Sequence, residues 1–295
     1  MTTTPIFRGV ATAIITPTNE HGVDYESFGR IIDWQIAEGI NAIVVCGTTG
    51  ENPTLSDDEH KQCIRFCVER VNHRVPVIAG TGSNDTAHAI MMTQFACAIG
   101  ADAVLCVTPY YNRPTQSGLI ASFTAIADAA TAPVILYNIP SRTGTSIEPE
   151  TFEVLGDHPN IVGIKEASGR LPKIMETFRR VHGKLDVYSG NDDQTLPLLA
   201  MGGKGLISVA ANVVPAQTVA LCEKFFAGDV AGAADVQLEL LPLMQALFYQ
   251  TNPIPVKAAL ARMGRIEDRL RLPLTPMEEP HRGKLFRIME EMGLI

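Results

Sequence analysis

Short apolar runs rich in β-branched residues recur along the chain, each followed by a longer stretch with helical spacing. The runs cover residues 10–14, 42–46, 75–79, 103–107, 134–138, 161–165, 185–189 and 205–209, eight in all. Most are continuously apolar rather than alternating, as expected of parallel strands covered on both faces. Between them lie helical patterns such as 25–38, 56–71 and 86–99, with Gly39 and Gly100 placed as helix stops. Eight such βα units predict an α/β fold, a (β/α)8 TIM barrel. An open doubly wound sheet would carry a glycine fingerprint after its first strand, where this chain has Thr16-Pro17-Thr18-Asn19. From about Asp229 the strand signal stops and Ala, Leu, Met and Glu patterns take over, punctuated by Pro253, Pro255, Pro273 and Pro276. The expected organisation is a catalytic barrel over 1–228 and a helical C-terminal region over 229–295, packed against it.

Composition narrows the function classes. With 295 residues, 46% of them hydrophobic and 19% charged, the chain has ample material for a closed core and no disordered character. Its formal charge of -8, without a basic run, offers no footprint for nucleic acid. No stretch is long and apolar enough to span a membrane, and Met1 to Pro5 is not the start of a signal peptide, so a cytoplasmic protein is expected. The six cysteines are too sparse for a disulfide scaffold. Cys63 and Cys67 share a helix face, but no further ligand completes a metal set, and packed reduced thiols are expected there.

Catalytic groups of a barrel lie at the C-terminal ends of its strands. Lys165 occupies such a position. Of eight lysines it alone falls inside an apolar strand, and alternation puts it on the face shared with Gly163 and Ala167, which leave room beside it. Removing an unpaired charge from water costs several kcal/mol, so burial favours the neutral amine, a nucleophile that forms Schiff bases with carbonyl compounds. A salt bridge to Glu166 or another strand-end carboxylate would satisfy the same lysine, and spacing alone leaves both readings open. Tyr137 shifts the balance. It ends the preceding strand, beside Lys165 if the strands follow in sequence order, and a phenol both gives and takes the protons that carbinolamine chemistry moves. Arg142, in the turn Pro140-Ser141-Arg142-Thr143-Gly144, presents a planar fork suited to a carboxylate, although a surface ion pair is the plainer use. Gly47-Thr48-Thr49-Gly50 combines two hydroxyls with backbone N–H groups, a site for one small anion rather than a diphosphate. The seven histidines avoid the strand ends, which argues against zinc-dependent chemistry.

These residues resemble the pyruvate-dependent class I aldolase and lyase superfamily, and most narrowly its dihydrodipicolinate synthase family. The likeness spans nearly the whole chain. It is carried by Gly47-Thr48-Thr49-Gly50-Glu51, Pro109-Tyr110-Tyr111-Asn112-Arg113-Pro114, Tyr137-Asn138-Ile139-Pro140-Ser141-Arg142-Thr143-Gly144, Gly163-Ile164-Lys165-Glu166-Ala167 and Asn252-Pro253-Ile254-Pro255-Val256-Lys257. The resemblance implies a lyase of lysine and diaminopimelate biosynthesis that joins pyruvate to L-aspartate 4-semialdehyde, giving 4-hydroxy-tetrahydrodipicolinate, with no metal or cofactor. It implies an imine on Lys165, a hydroxyl relay of Tyr137, Thr48 and Tyr111, and a partner subunit whose site Tyr111 enters, in a homodimer or homotetramer. Thr49 would hold the pyruvate carboxylate, backbone groups at Gly190 and Ile207 would line the pocket, and Arg142 would receive the aldehyde's carboxylate. Sugar-acid lyases share the Lys and Tyr elements and form the alternative activity; a barrel that only senses 2-oxo acids would gain nothing from a buried amine.

Many relatives also bind lysine at the dimer interface. The matching positions here are Asn52, Pro53, Asp57, His60, Asn84, His88 and Tyr110, where Ser, Ala, His, His, Asn, Glu and Tyr are commoner. Position 88 lacks the expected carboxylate, so weak or absent feedback inhibition is expected.

Overall fold

The computed structural model describes residues 4–295. Eight parallel strands close into a barrel in sequence order: β1 (Gly9–Ala13), β2 (Ala42–Val45), β3 (Val77–Gly80), β4 (Ala103–Val107), β5 (Val134–Asn138), β6 (Ile161–Glu166), β7 (Asp186–Ser189) and β8 (Gly205–Ser208), with β8 pairing β1. This is the predicted (β/α)8 architecture. The third strand starts later than its apolar run because Pro76 has no N–H to give the ladder. A short antiparallel hairpin, Thr18–Asn19 with Gly22–Val23, follows β1 outside the barrel.

Helices cover the strands: α1 (Tyr25–Ala37), α2 (Asp57–Val71), α3 (Thr86–Ala98), α4 (Gln116–Ala129), α5 (Pro140–Thr143), α6 (Pro149–Leu155), α7 (Leu171–Val181), α8 (Thr195–Ala200) and α9 (Pro215–Phe226). Helix α2 opens where its capping signal lies. Ser56 Oγ accepts from the Glu59 N–H at 3.3 Å and Glu59 returns the bond to the Ser56 N–H at 3.0 Å. Three more helices, α10 (Val230–Ala246), α11 (Ile254–Arg262) and α12 (His281–Glu291), complete the chain. Leu240, Leu243, Val256, Leu260 and Leu285 from these helices share one apolar core with the barrel's outer face. Among the described residues no helix is long and apolar enough to cross a membrane.

A second apolar cluster fills the lumen, with Ala11, Val44, Ile78, Leu105, Ile135 and Ile207 from alternate positions of the strands. Its N-terminal end is stoppered by Phe7, whose ring stacks on Tyr188 at 4.3 Å and whose carbonyl accepts from the Tyr188 hydroxyl at 3.0 Å. Here β1 and β8 approach closely: a Cβ on Gly205 would lie 1.9 Å from the Gly9 carbonyl oxygen, so only glycine fits. The other end of the lumen, where the strands deliver their C-terminal residues, is the one left for chemistry.

Candidate active site

Strands β5 and β6 pair in a register that sets Tyr137 beside Lys165 and Asn138 beside Glu166. The period-two alternation of a strand then sends Tyr137 and Lys165 inward and their neighbours outward. Lys165 is 5% exposed, and its Nζ lies 4.3 Å from the centroid of the Tyr137 ring. The salt-bridge reading of this lysine does not hold. Glu166 is engaged elsewhere, accepting from Asn138 Nδ2 at 3.0 Å and from the Ser168 N–H at 2.6 Å, and Lys165 has no carboxylate in ion-pair range among the described residues. Gly190, just past β7, is pressed against the lysine: a Cβ there would stand 2.8 Å from Ala167 Cβ and 3.2 Å from Lys165 Cε. Glycine therefore preserves the room this side chain occupies.

A second lysine is buried more deeply, and it is one that the sequence treats as an ordinary helical residue. Lys257 in α11 is fully buried and forms a 2.6 Å ion pair with Glu51, itself 4% exposed. Burial pulls the Lys257 pKa down and the Glu51 charge opposes that pull. Glu51 also accepts from the Arg271 N–H at 3.2 Å. Both lysines are buried, and they differ chiefly in partner: one is paired with a carboxylate, the other faces a phenol ring.

A cavity of about 310 Å³ opens beside Tyr137. Thr48, Tyr110, Ile139, Arg142 and Thr143 wall it together with Asn52 and Pro53, so three residues expected at an effector site border the same space. The Gly47–Gly50 loop uses some of its N–H groups internally, Gly50 to Gly47 at 3.1 Å and Glu51 to Thr48 at 3.1 Å. The amides of Thr48 and Thr49 have no acceptor among the described residues, which keeps them for an anion. Arg142 donates from Nη2 to the Asn252 carbonyl at 2.9 Å and has no acidic partner among the described residues, which sets aside the surface ion pair. Thr49 is buried and accepts from Asn252 Nδ2 at 3.0 Å. Neither Lys165, Thr49, Gly190 nor Ile207 walls the cavity, and Ile207 lies wholly within the lumen beside Ala11.

Tyr111 stands apart. It is 93% exposed, and its φ of 70° is left-handed. The Asn112 N–H bonds to the Tyr110 carbonyl at 2.8 Å, closing a γ-turn of the strained hand around it. A large aromatic is thereby held out in water. The remaining effector positions form a small polar group: His88 Nε2 bonds Asp57 Oδ1 at 3.0 Å, buried His60 bonds the Gly80 carbonyl at 2.8 Å, and the Asn84 carbonyl accepts from Asn112 at 3.0 Å. The bond to His88 draws the Asp57 carboxyl below the usual range, and burial lowers the His60 pKa. All six cysteines are free.

Comparison with known proteins identifies the relatives of the chain. The model of the dihydrodipicolinate synthetase family matches residues 6–292. A protein of Nitratidesulfovibrio vulgaris named 4-hydroxy-tetrahydrodipicolinate synthase is 51% identical over 290 residues, covering 98% of this chain and 99% of that one. Another with the same name, from Thermoanaerobacter sp., is 49% identical over 292 residues, with 99% and 98% covered. The crystal structure of the Acinetobacter baumannii dihydrodipicolinate synthase complexed with pyruvate superimposes with a TM-score of 0.95 at 44% identity, covering 98% of this chain and 99% of that one. On its barrel, its strand-end residues and these relatives, the chain belongs to the dihydrodipicolinate synthetase family.

Proposed function

We propose that the chain condenses pyruvate with L-aspartate 4-semialdehyde in the cytoplasm, through an imine on Lys165, to give 4-hydroxy-tetrahydrodipicolinate. The observation that carries this reading is the pairing of Tyr137 with Lys165, the lysine buried and with no carboxylate in ion-pair range among the described residues. The lysine amine adds to the pyruvate carbonyl and water leaves, forming an iminium; loss of a C3 proton gives an enamine. The enamine carbon attacks the aldehyde, whose oxygen takes a proton. The amino group of the second substrate then attacks the imine carbon, the lysine leaves as free amine, and the ring closes.

Every step moves a proton, and Tyr137 with Thr48 supplies hydroxyls at the cavity wall for that traffic. The amides and hydroxyl of the Thr48-Thr49 loop hold the pyruvate carboxylate, the backbone at Gly190 and Ile207 closes around it, and Arg142 receives the aldehyde's carboxylate. The exposed, strained Tyr111 completes the relay from a second copy of the chain, which makes the working form a homodimer or a dimer of dimers. The Asp57–His88 pair leaves no free carboxylate for a ligand ammonium, which supports weak or absent inhibition by lysine. Borohydride added with pyruvate, followed by peptide mass mapping, tests the central step. The expected adduct is on Lys165 and is lost in Lys165→Ala; an adduct on another residue refutes the mechanism.

A further inference from the structure

The segment Asn252-Pro253-Ile254-Pro255-Val256-Lys257 contributes nothing to the chemistry described above, yet both of its polar residues are buried against loops of the candidate site. Asn252, 4% exposed, donates through Nδ2 to Thr49 Oγ1 at 3.0 Å and accepts from Arg142 Nη2 at its backbone carbonyl at 2.9 Å. Five positions later Lys257 pairs with Glu51, next but one to Thr49. Thr49 follows β2 and Arg142 follows β5, strands that are not neighbours in the closed order, so no strand pairing sets one against the other. One residue touches both.

We propose that Asn252 is a positioning residue that holds Thr49 and Arg142 at the orientation two anionic substrates require. The inference rests on the reading of those two residues as carboxylate sites. A threonine hydroxyl has one hydrogen to donate. When Asn252 Nδ2 donates to Oγ1, that hydrogen is directed away from Asn252 and is free for an anion. The amide oxygen Oδ1 has no partner among the described residues, so the side chain is held by its donor half alone. On the other side, one N–H of the Arg142 fork is tied to the Asn252 carbonyl, which fixes the plane of the guanidinium and leaves its other donors without a partner among the described residues.

Asn252→Ala and Asn252→Leu test this, the second keeping the side-chain volume without its hydrogen bond. Steady-state kinetics in both substrates are measured together with borohydride trapping across a pyruvate titration. The expected result is a rise of about three- to tenfold in half-saturating pyruvate in both variants, the size of one lost neutral hydrogen bond. The aldehyde KM rises less, because Arg142 uses the main chain, and kcat changes least. Asn252→Ala added to Thr49→Val costs no more than Thr49→Val alone. Unchanged pyruvate half-saturation in both variants, or losses that multiply in the double variant, overturns the proposal. Wild-type protein that traps no adduct at Lys165 refutes the imine reading itself, whereas a normal adduct with an unshifted titration in the variants refutes only the role of Asn252.

Discussion

Lys257→Met removes an ammonium from a site that is 0% exposed and leaves the Glu51 carboxylate, 4% exposed, without its counter-charge. Breaking a buried pair in this way costs about 3–5 kcal/mol, because the surviving charge keeps its desolvation penalty and loses the attraction that offset it. The Arg271 N–H remains on Glu51, which places the loss toward the lower part of that range. For a chain of 295 residues the unfolding entropy is about 0.6 kcal/mol/K, so the melting temperature falls by about 5–6 °C. Replacing both partners, Glu51→Met with Lys257→Met, removes the orphaned charge and recovers most of the stability. Denaturant and thermal unfolding of the wild type, both single variants and the double variant measure the cycle. A single variant that loses less than about 1 kcal/mol, or a double variant whose loss equals the sum of the singles, refutes the view that each of these charges depends on the other.

Tyr137→Phe keeps the ring against Lys165 and removes its proton, so kcat falls by about 10²–10⁴-fold with the fold intact; a loss under tenfold would take the tyrosine out of the relay. Gly190→Ala pushes a methyl group into Ala167 and Lys165, and imine formation with pyruvate slows or stops; trapping at the wild-type rate would show that the loop yields freely. Hydrogen bonds from Arg271 draw the Glu59 carboxyl down to about 2 from its ordinary 4.5, so the folded chain binds that proton less firmly than the unfolded one. The resulting stability is complete above pH 4.5 and is lost as the pH falls toward 2. Glu59→Gln accordingly flattens the dependence of the urea midpoint on pH in that window, and an unaltered slope contradicts the assignment. Added lysine inhibits half-maximally only at about 1 mM or above in a coupled assay; tight inhibition would show that Asp57 replaces the missing carboxylate at position 88.

The barrel was legible because most strands are continuous apolar runs bounded by turn residues, and Lys165 was legible because it interrupts one. Tyr137 followed once sequential strand order was assumed, and the register of β5 with β6 bears that order out. Lys257 was harder to see, since a lysine in a helix is ordinarily solvated. Its signal was present nonetheless: Ile254 to Leu260 is apolar on every side of the helix, and a helix of that kind is buried all round, so its one charge requires a partner. The identity of that partner was beyond any local pattern, because Glu51 lies 206 residues away. Asn252 was hidden for the same reason, its contacts with Thr49 and Arg142 being products of closure rather than of spacing.

With its floor closed by the Phe7–Tyr188 stack and its lumen filled by side chains, the cylinder leaves the rim at the strands' C-terminal ends for traffic. If Lys165 and Arg142 hold the two substrates as proposed, both would be reached from that rim. On the proposed reading, a molecule held by Arg142 would stand between solvent and Lys165, so order of addition would follow from fixed walls.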